Sequence, residues 1–187
     1  MRRGALLALL GAVCVFGPHL AAGVPPTDGT VYRLLSRDAG GWTFAVQSVP
    51  RPVSKIEIAG REYTLFAGEP QERDAAPGRP YLPTEPLSLG IPFDVAVTAD
   101  LQNPVYEEVA GVLVAPGPAY GMTEEREAVA AYTVDAREYA RDAFVPATPL
   151  TVDPPFVLRQ QRISTIRLAL YQSNPAQKIL RRLIPGN

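Results

Sequence analysis

Twenty prolines are spread along the 187 residues of the chain, and they limit the length of any helix. A proline inside a helix removes a backbone hydrogen bond and clashes with the preceding turn, and within a sheet it is tolerated only at edges, bulges and turns. Between the prolines, apolar and polar residues alternate with a period of two, as in WTFAV at residues 42–46. This spacing predicts about nine short strands joined by turns.

Turn-forming residues indicate how some of these strands pair. Gly60 lies between extended runs at residues 56–58 and 63–66, where a hairpin turn requires the positive φ that glycine adopts readily. Residues 163–171 and 178–184 flank a Ser-Asn-Pro turn, so we expect these two segments to pair antiparallel. Further extended runs cover residues 87–91, 95–97 and 105–114.

The number and spacing of the strands indicate an all-β fold, an antiparallel β-sandwich of jelly-roll type. Two segments favour one or two short helices within it. Residues 123–129 begin with a threonine followed by acidic residues, and residues 135–138 resemble a capping box. Each helix would have at most about three turns.

The N-terminus has the composition of a secretory signal peptide. Arg2 and Arg3 precede an uncharged apolar stretch at residues 4–16, and small residues follow around Ala22 and Gly23. The stretch is shorter than the roughly 20 apolar residues that span a bilayer. We therefore expect cleavage after Ala22 or Gly23 and no stable membrane anchor.

Cleavage would divide the chain into a signal peptide, residues 1–23, and one domain, residues 24–187, that is secreted or periplasmic. The 18 basic and 19 acidic residues of the full chain give a net charge of −1, and loss of two arginines with the signal peptide would give −3. Neither value favours binding to nucleic acid. Hydrophobic residues make up 47% and charged residues 20% of the sequence, which is typical of a folded globular domain.

Residues capable of catalysis are scarce in the predicted mature domain. Cys14 and His19, the single cysteine and the single histidine, both lie in the predicted signal peptide. The mature domain would then have no thiol nucleophile, no imidazole base and no metal site built from these residue types. Acidic pairs at residues 107–108 and 124–125 remain, but neighbours on a strand point to opposite faces. We expect no catalytic residues, no metal and no cofactor, and a hydrolase that uses carboxylates is the least favoured alternative.

Several short motifs follow one another in the second half of the chain. They are GRPYLP at residues 78–83, Ile-Pro at 91–92, VLVAP at 112–116, YARDAFVP at 139–146, and YQSNP at 171–175 followed by KIL at 178–180. In this order they resemble the gingipain-type propeptide, the prodomain of clan CD cysteine peptidases of family C25. Gln172 and Ser173 separate the last tyrosine from Asn-Pro, which departs from the family pattern.

The resemblance implies an exported β-sandwich that precedes a peptidase domain, assists its folding and blocks its active site until the prodomain is cut away. The implied partner is the catalytic domain of a gingipain-like cysteine peptidase, which carries the cysteine and histidine of that family. The sequence stops at Asn187, where the peptidase domain would begin. We therefore expect a prodomain-like module without the peptidase domain.

Two arginines are candidates for an inhibitory contact, because peptidases of the resembled family prefer basic residues. Arg126 is the only basic residue between residues 117 and 131, which makes it the first candidate for insertion into the peptidase cleft. The alternative is that Arg126 pairs with its three glutamate neighbours on a solvated helical turn. Arg79 is the second candidate, although its place between a glycine and a proline favours a structural turn.

An exported adhesion or carbohydrate-binding module is the main alternative function, because sandwich folds host many functions and the aromatic residues are spread singly along the strands. Glycan binding would favour this alternative, whereas a peptidase domain encoded downstream would favour the prodomain role. Arg181 and Arg182 are interpreted as solvated charges of an edge strand rather than as a binding patch.

Overall fold

The computed structural model describes residues 4–11, 31–38, 41–47, 50–67, 76–123 and 128–184. Fifteen strands and one short helix are formed by these residues. In chain order they are β1 (Gly4–Gly11), β2 (Val31–Asp38), β3 (Gly41–Gln47), β4 (Val53–Ile58), β5 (Arg61–Phe66), β6 (Thr84–Ile91), β7 (Ala96–Gln102), β8 (Val105–Ala110), β9 (Pro118–Met122), β10 (Ala128–Tyr132), α1 (Ala136–Tyr139), β11 (Leu150–Val152), β12 (Phe156–Leu158), β13 (Gln161–Ala169), β14 (Tyr171–Asn174) and β15 (Ile179–Ile184).

The strands of the described residues form five sheets, and most of the pairs are antiparallel. One sheet has the order β2-β3-β1-β7, another places β13 beside β6, β11 and β12, and a third has the order β14-β15-β8. The hairpins β4–β5 and β9–β10 are two-stranded sheets. β1 pairs parallel with both β3 and β7, in contrast to the other pairs of named strands.

The hydrophobic core lies between these sheets. Its members come from at least six strands, and partly buried side chains of β6, β7 and β8 pack against them. Complete burial of a side chain of this kind contributes about 1.5–3 kcal/mol relative to leaving it exposed. The all-β antiparallel sandwich is therefore confirmed. The buried cluster is Phe44, Val46, Phe66, Leu82, Val114, Leu150, Ile166, Leu168, Leu170, Tyr171 and Leu183.

The predicted hairpin around Gly60 is confirmed. β4 and β5 pair antiparallel with Ile58 opposite Arg61, so Ala59 and Gly60 are the two turn residues. Their φ angles are 51° and 74°, as expected of a two-residue turn whose twist matches that of the flanking strands.

The pairing expected at the C-terminus is correct only in part. The turn and the final strand form as predicted, but β14, not the long strand before it, pairs with β15. Asn174 lies opposite Ile179, and this register would place Ile184, the last residue of β15, opposite Ala169. β15 therefore lies beside only the last residues of the predicted partner segment, residues 163–171. Residues of β13 pair instead with β6, β11 and β12.

One of the two predicted helices is confirmed. Asp135 is the N-cap of α1, and its carboxylate accepts hydrogen bonds from the backbone N–H groups of Arg137 (2.9 Å) and Glu138 (3.4 Å). The prediction for residues 123–129 is wrong at its end, because Ala128 and Val129 pair with β9 as part of β10. Residues 124–127 lie outside the described residues.

Candidate interaction site

The motifs found in the sequence meet in three dimensions, and Gly78 is at the meeting point. Its N–H donates to the carbonyl of Gly117 (3.0 Å), and its carbonyl accepts from the N–H of Asp135 (3.0 Å). Gly117 in turn donates to the carbonyl of Arg79 (2.8 Å). Three segments that are distant in sequence are thus joined by backbone hydrogen bonds around one buried glycine.

A side chain cannot replace the hydrogen of Gly78 without strain. The φ angle of Gly78 is +89°, in the region that favours glycine. A Cβ atom at this position would lie 3.3 Å from the backbone nitrogen of Asp135 and 3.4 Å from its Cβ. The glycine of the GRPYLP motif is therefore required by both backbone conformation and packing.

A partly buried tyrosine fixes α1 against the same segments. The hydroxyl of Tyr139 donates to the carbonyl of Val114 (2.7 Å), and its ring lies edge-on to that of Tyr63 with 5.9 Å between centroids. Burial, and to a smaller extent Tyr63, raises the pKa of the Tyr139 hydroxyl above its ordinary value. Tyr139 is therefore a neutral structural hydrogen-bond donor and not a candidate base.

The two residues that depart from the family pattern are part of the core. Gln172 and Ser173 belong to β14, and both side chains are fully buried. Ser173 exchanges two backbone hydrogen bonds with Val145, of 2.8 and 2.9 Å. Gln172 and Ser173 therefore add a strand segment to which the end of the YARDAFVP motif is hydrogen-bonded.

The interpretation of Arg181 as a solvated charge is wrong. Its guanidinium lies over the rings of Phe144 and Tyr106, 3.9 and 4.6 Å from their centroids, and its Nε donates to Oε1 of Gln172 (2.9 Å). Arg182 pairs with Glu107 at 2.7 Å, and the side chain of Glu107 is more exposed than that of Gln172. Arg181 is thus a packing residue between three segments.

The β9–β10 hairpin exposes apolar side chains. Tyr120 is 62% exposed and Met122 is 70% exposed. They lie two residues apart on β9 and opposite Ala130 and Ala128, so they share one face of the hairpin. Neither strand contains a charged residue. Among the described residues, the two strands pair with each other and with no third strand.

Arg126 belongs to the five residues, 123–127, that connect β9 to β10. It lies outside the described residues, as do the neighbouring Glu124 and Glu125. The predicted cleavage positions Ala22 and Gly23 lie outside them as well. The structure therefore gives the strands that flank the Arg126 connection and not the side chain itself.

Arg79 lies in a groove and not at a projecting tip. Its N–H closes a turn with the carbonyl of Ala76 (3.3 Å), as the glycine-proline context predicts. Its guanidinium approaches Glu138 (3.5 Å), which is also approached by Arg141 (3.8 Å). The structure therefore brings together two arginines that the sequence separates by about 60 residues, and sequence reasoning missed Arg141 and Glu138.

The acidic pair at residues 107–108 lies on β8. Glu107 lies opposite Arg182 and Glu108 opposite Arg181, so the two glutamates point to opposite faces of β8, as expected. Within the described ranges, no group of three or more His, Cys, Asp or Glu side chains could hold a metal ion. In the same part of the chain, no helix has the length and apolar character needed to cross a membrane.

Two solved structures share this fold. The first, a complex of the pro- and mature domains of Porphyromonas gingivalis RgpB, matches with a TM-score of 0.65 and 23% identity, over 81% of this chain and 80% of the matched chain. The second, a study of the zymogenic latency of gingipain K from the same organism, matches with a TM-score of 0.53 and 16% identity, over 71% and 75%. At these sequence identities, the similarity shows a shared fold.

Sequence relatives lead to the family. The chain is 31% identical over 104 residues to gingipain R1 and to gingipain R2 of Porphyromonas gingivalis. The match covers 56% of this chain but only 10% and 14% of those two proteins, so the chain spans a small part of their length. The family model Propeptide_C25 matches residues 69–183, well over half of the chain. The chain therefore belongs to the C25 propeptide family.

Proposed function

We propose that this protein is an exported prodomain-like module that binds the catalytic domain of a gingipain-like cysteine peptidase, assists its folding and inhibits it. The module itself is not an enzyme. Membership of a propeptide family supports the role, and the likeness to a prodomain that is in complex with its mature domain supports the class of partner. The predicted signal peptide supports export to the periplasm or the exterior, and its cleavage after Ala22 or Gly23 would remove β1 from the β2-β3-β1-β7 sheet.

The β9–β10 hairpin is the observation that carries the proposal. A two-stranded hairpin alone is marginally stable in water, and exposed apolar side chains without charges favour association. Tyr120 and Met122 supply an accessible apolar surface, because their cross-strand partners are small alanines and neither strand carries a charge. A partner that covers this face would bury the side chains of Tyr120 and Met122 and stabilise the hairpin.

Arg126 is the proposed occupant of the peptidase cleft. It is the single basic residue in the connection between the two strands, and a basic side chain is what the peptidases of the resembled family prefer. Insertion of a substrate-like arginine would block access of other substrates. Arg79 is disfavoured for this role, because its backbone is held on both sides and its guanidinium faces Glu138 in a groove.

Inhibition of the RgpB mature domain by the full chain tests the proposal. We expect Arg126→Ala to raise the inhibition constant by about 30-fold or more, the size of an interface hot spot. Arg79→Ala should have a smaller effect, and Arg61→Ala, at the start of β5, should have none. Thermal unfolding of each variant confirms that it is folded.

Three outcomes would contradict the proposal. An inhibition constant unchanged by Arg126→Ala in a folded protein would exclude the arginine from the cleft. Absence of any binding between the full chain and the mature domain would remove this peptidase as a partner. Peptide hydrolysis by the full chain alone, abolished by substitution of one of its own residues, would contradict the non-catalytic role.

The folding role has a separate readout. Because a ligand that binds only the native state stabilises it by mass action, a bound prodomain should raise the yield of native peptidase. We expect denatured RgpB mature domain to regain more activity, after dilution and removal of the inhibitor, when the full chain is present during refolding. An equal yield with and without the chain would leave inhibition as the role.

A further inference from the structure

The groove that contains Arg79 is built from two of the sequence motifs. It has a volume of about 310 Å³, and its lining includes Arg79, Pro80 and Leu82 of the first motif and Arg141, Val145 and Pro146 of the second. Both motifs are fixed by backbone hydrogen bonds, because the carbonyl of Arg79 accepts from the N–H of Gly117, and Val145 and Ser173 exchange two hydrogen bonds. The groove is therefore preformed, which reduces the entropic cost of binding.

The charges of the described residues in the groove are unbalanced. Arg79 and Arg141 carry side chains that are 58% and 53% exposed, and both approach the carboxylate of Glu138, which is 21% exposed. The two separations, 3.5 and 3.8 Å, exceed the length of a normal charged hydrogen bond. Each guanidinium has five N–H donors, so one carboxylate shared at this distance leaves most of their capacity unused.

Among the described residues, the two acidic residues nearest in sequence to Glu138 and Arg141 are engaged elsewhere. The carboxylate of Asp135 accepts from the backbone at the start of α1. Asp142 accepts from the side-chain amides of Asn174 (2.8 Å) and Gln177 (2.7 Å). Among the described residues that line the groove, two arginines and one glutamate give an excess of positive charge beside the side chains of proline, leucine and valine.

We propose that this groove receives the carboxylate of an aspartate or glutamate side chain on the partner peptidase. The inference rests on the proposed function and adds a second contact to it, away from the β9–β10 hairpin. A guanidinium pair matches the planar, two-oxygen geometry of a carboxylate, and the apolar walls receive the methylene groups of the same side chain. Arg79 thus donates hydrogen bonds to an acidic residue of the partner and is not inserted into the peptidase cleft.

The first experiment tests the groove without a peptidase. The full chain is titrated with N-acetyl-glutamate amide, and separately with N-acetyl-glutamine amide, while the Nε–Hε signals of its arginines are followed by NMR. We expect saturable shifts of the Arg79 and Arg141 signals with the glutamate compound only. Equal shifts of all arginines, or none, would overturn the proposal.

Variants that remove either positive or negative charge from the groove should change binding of the glutamate compound in opposite directions. Arg79→Gln with Arg141→Gln should abolish the saturable shift, and Arg61→Gln, at an exposed arginine of the β4–β5 sheet, should leave it unchanged. Glu138→Gln removes the internal competitor for both guanidinium groups and should tighten binding of the glutamate compound by several-fold. Weaker binding to the Glu138→Gln variant would contradict the proposed arrangement.

The second experiment asks whether the carboxylate belongs to the peptidase. Affinity for the RgpB mature domain should fall about tenfold in the Arg79→Gln/Arg141→Gln variant, with a weaker dependence on salt. If the wild type binds and the double variant binds equally well, the groove is not a contact with the peptidase. If the wild type does not bind at all, the proposed function fails for this peptidase, and the titration alone still decides whether the groove binds carboxylates.

Discussion

The buried side chain of Gln172 ties β14 to the YARDAFVP motif, because its Nε2 donates a hydrogen bond of 2.6 Å to the carbonyl of Pro146. Its Oε1 accepts from Arg181, whose guanidinium covers the ring of Phe144. One amide thus connects three segments that are distant in the sequence. The arginine is the member of this arrangement whose contribution can be measured most directly.

Replacing Arg181 with lysine should destabilise the fold by about 1–2 kcal/mol, because lysine loses both the planar stacking on Phe144 and the directed hydrogen bond to Gln172. The matched change Arg182→Lys, at a more exposed ion pair with Glu107, should cost at most about 0.5 kcal/mol. Urea unfolding of the three proteins measures both values. Equal costs for the two lysine variants would mean that the stacked position contributes nothing beyond charge.

Alanine at two glycines separates conformational strain from crowding. Gly111 has a φ of +78°, and a Cβ atom at this position would have nothing within 4 Å, so Gly111→Ala should cost about 1–2 kcal/mol from backbone strain alone. Gly78 has a similar φ of +89° but adds contacts with Asp135, and Gly78→Ala should cost roughly 2–4 kcal/mol. The difference between the two free energies of unfolding is the test. A smaller cost at Gly78 would show that the GRPYLP turn relaxes around the new methyl group.

The raised pKa of Tyr139 predicts a loss of stability in alkaline solution. In the unfolded chain a tyrosine releases its proton near pH 10, whereas in the fold burial holds the proton to higher pH. The unfolded state therefore binds fewer protons than the folded state above about pH 10, and the free energy of unfolding falls as the pH rises. Below that pH this contribution is fully present.

Tyr139→Phe should remove part of the alkaline slope and, by deleting the hydrogen bond to Val114, cost about 1 kcal/mol at neutral pH. Tyr32 is also partly buried and its pKa is also raised, so a slope should remain in the variant. Tyr120→Phe, at an exposed hydroxyl, is the control. Denaturant unfolding between about pH 7 and 11 measures all three proteins, and an unchanged slope in Tyr139→Phe would assign the effect to other groups.

The strands with a clear period of two could be predicted from the sequence. β3 and the β4–β5 hairpin combine alternation, β-branched or aromatic residues and a glycine turn, so local preference and fold agree. The sequences of β9 and β10, PAYGM and AVAAY, have no such signal. Their strand conformation depends on pairing with each other, and for residues 128–129 it overrides the helical pattern.

Contacts between distant segments could not be predicted. The Asn-Pro turn indicates that a hairpin forms, but which strand lies beside β13 depends on packing with β6, more than 70 residues earlier. Arg181 looked like an ordinary surface charge because Phe144 and Tyr106 are neighbours only in the fold. The same applies to the groove, since nothing in the sequence pairs Arg79 with Arg141.

The exposed face of the β9–β10 hairpin gives the last prediction. Because Tyr120 and Met122 are largely exposed, replacing both with serine should change the free energy of unfolding by at most about 0.5 kcal/mol. If the partner peptidase covers this face, the same variant should inhibit the RgpB mature domain about tenfold less strongly. Phe156→Ser with Leu158→Ser removes two exposed apolar side chains from β12, in another sheet, and should leave inhibition unchanged. Equal loss of inhibition in the two double variants would point to general surface hydrophobicity, and no loss in either would separate the hairpin from the interface.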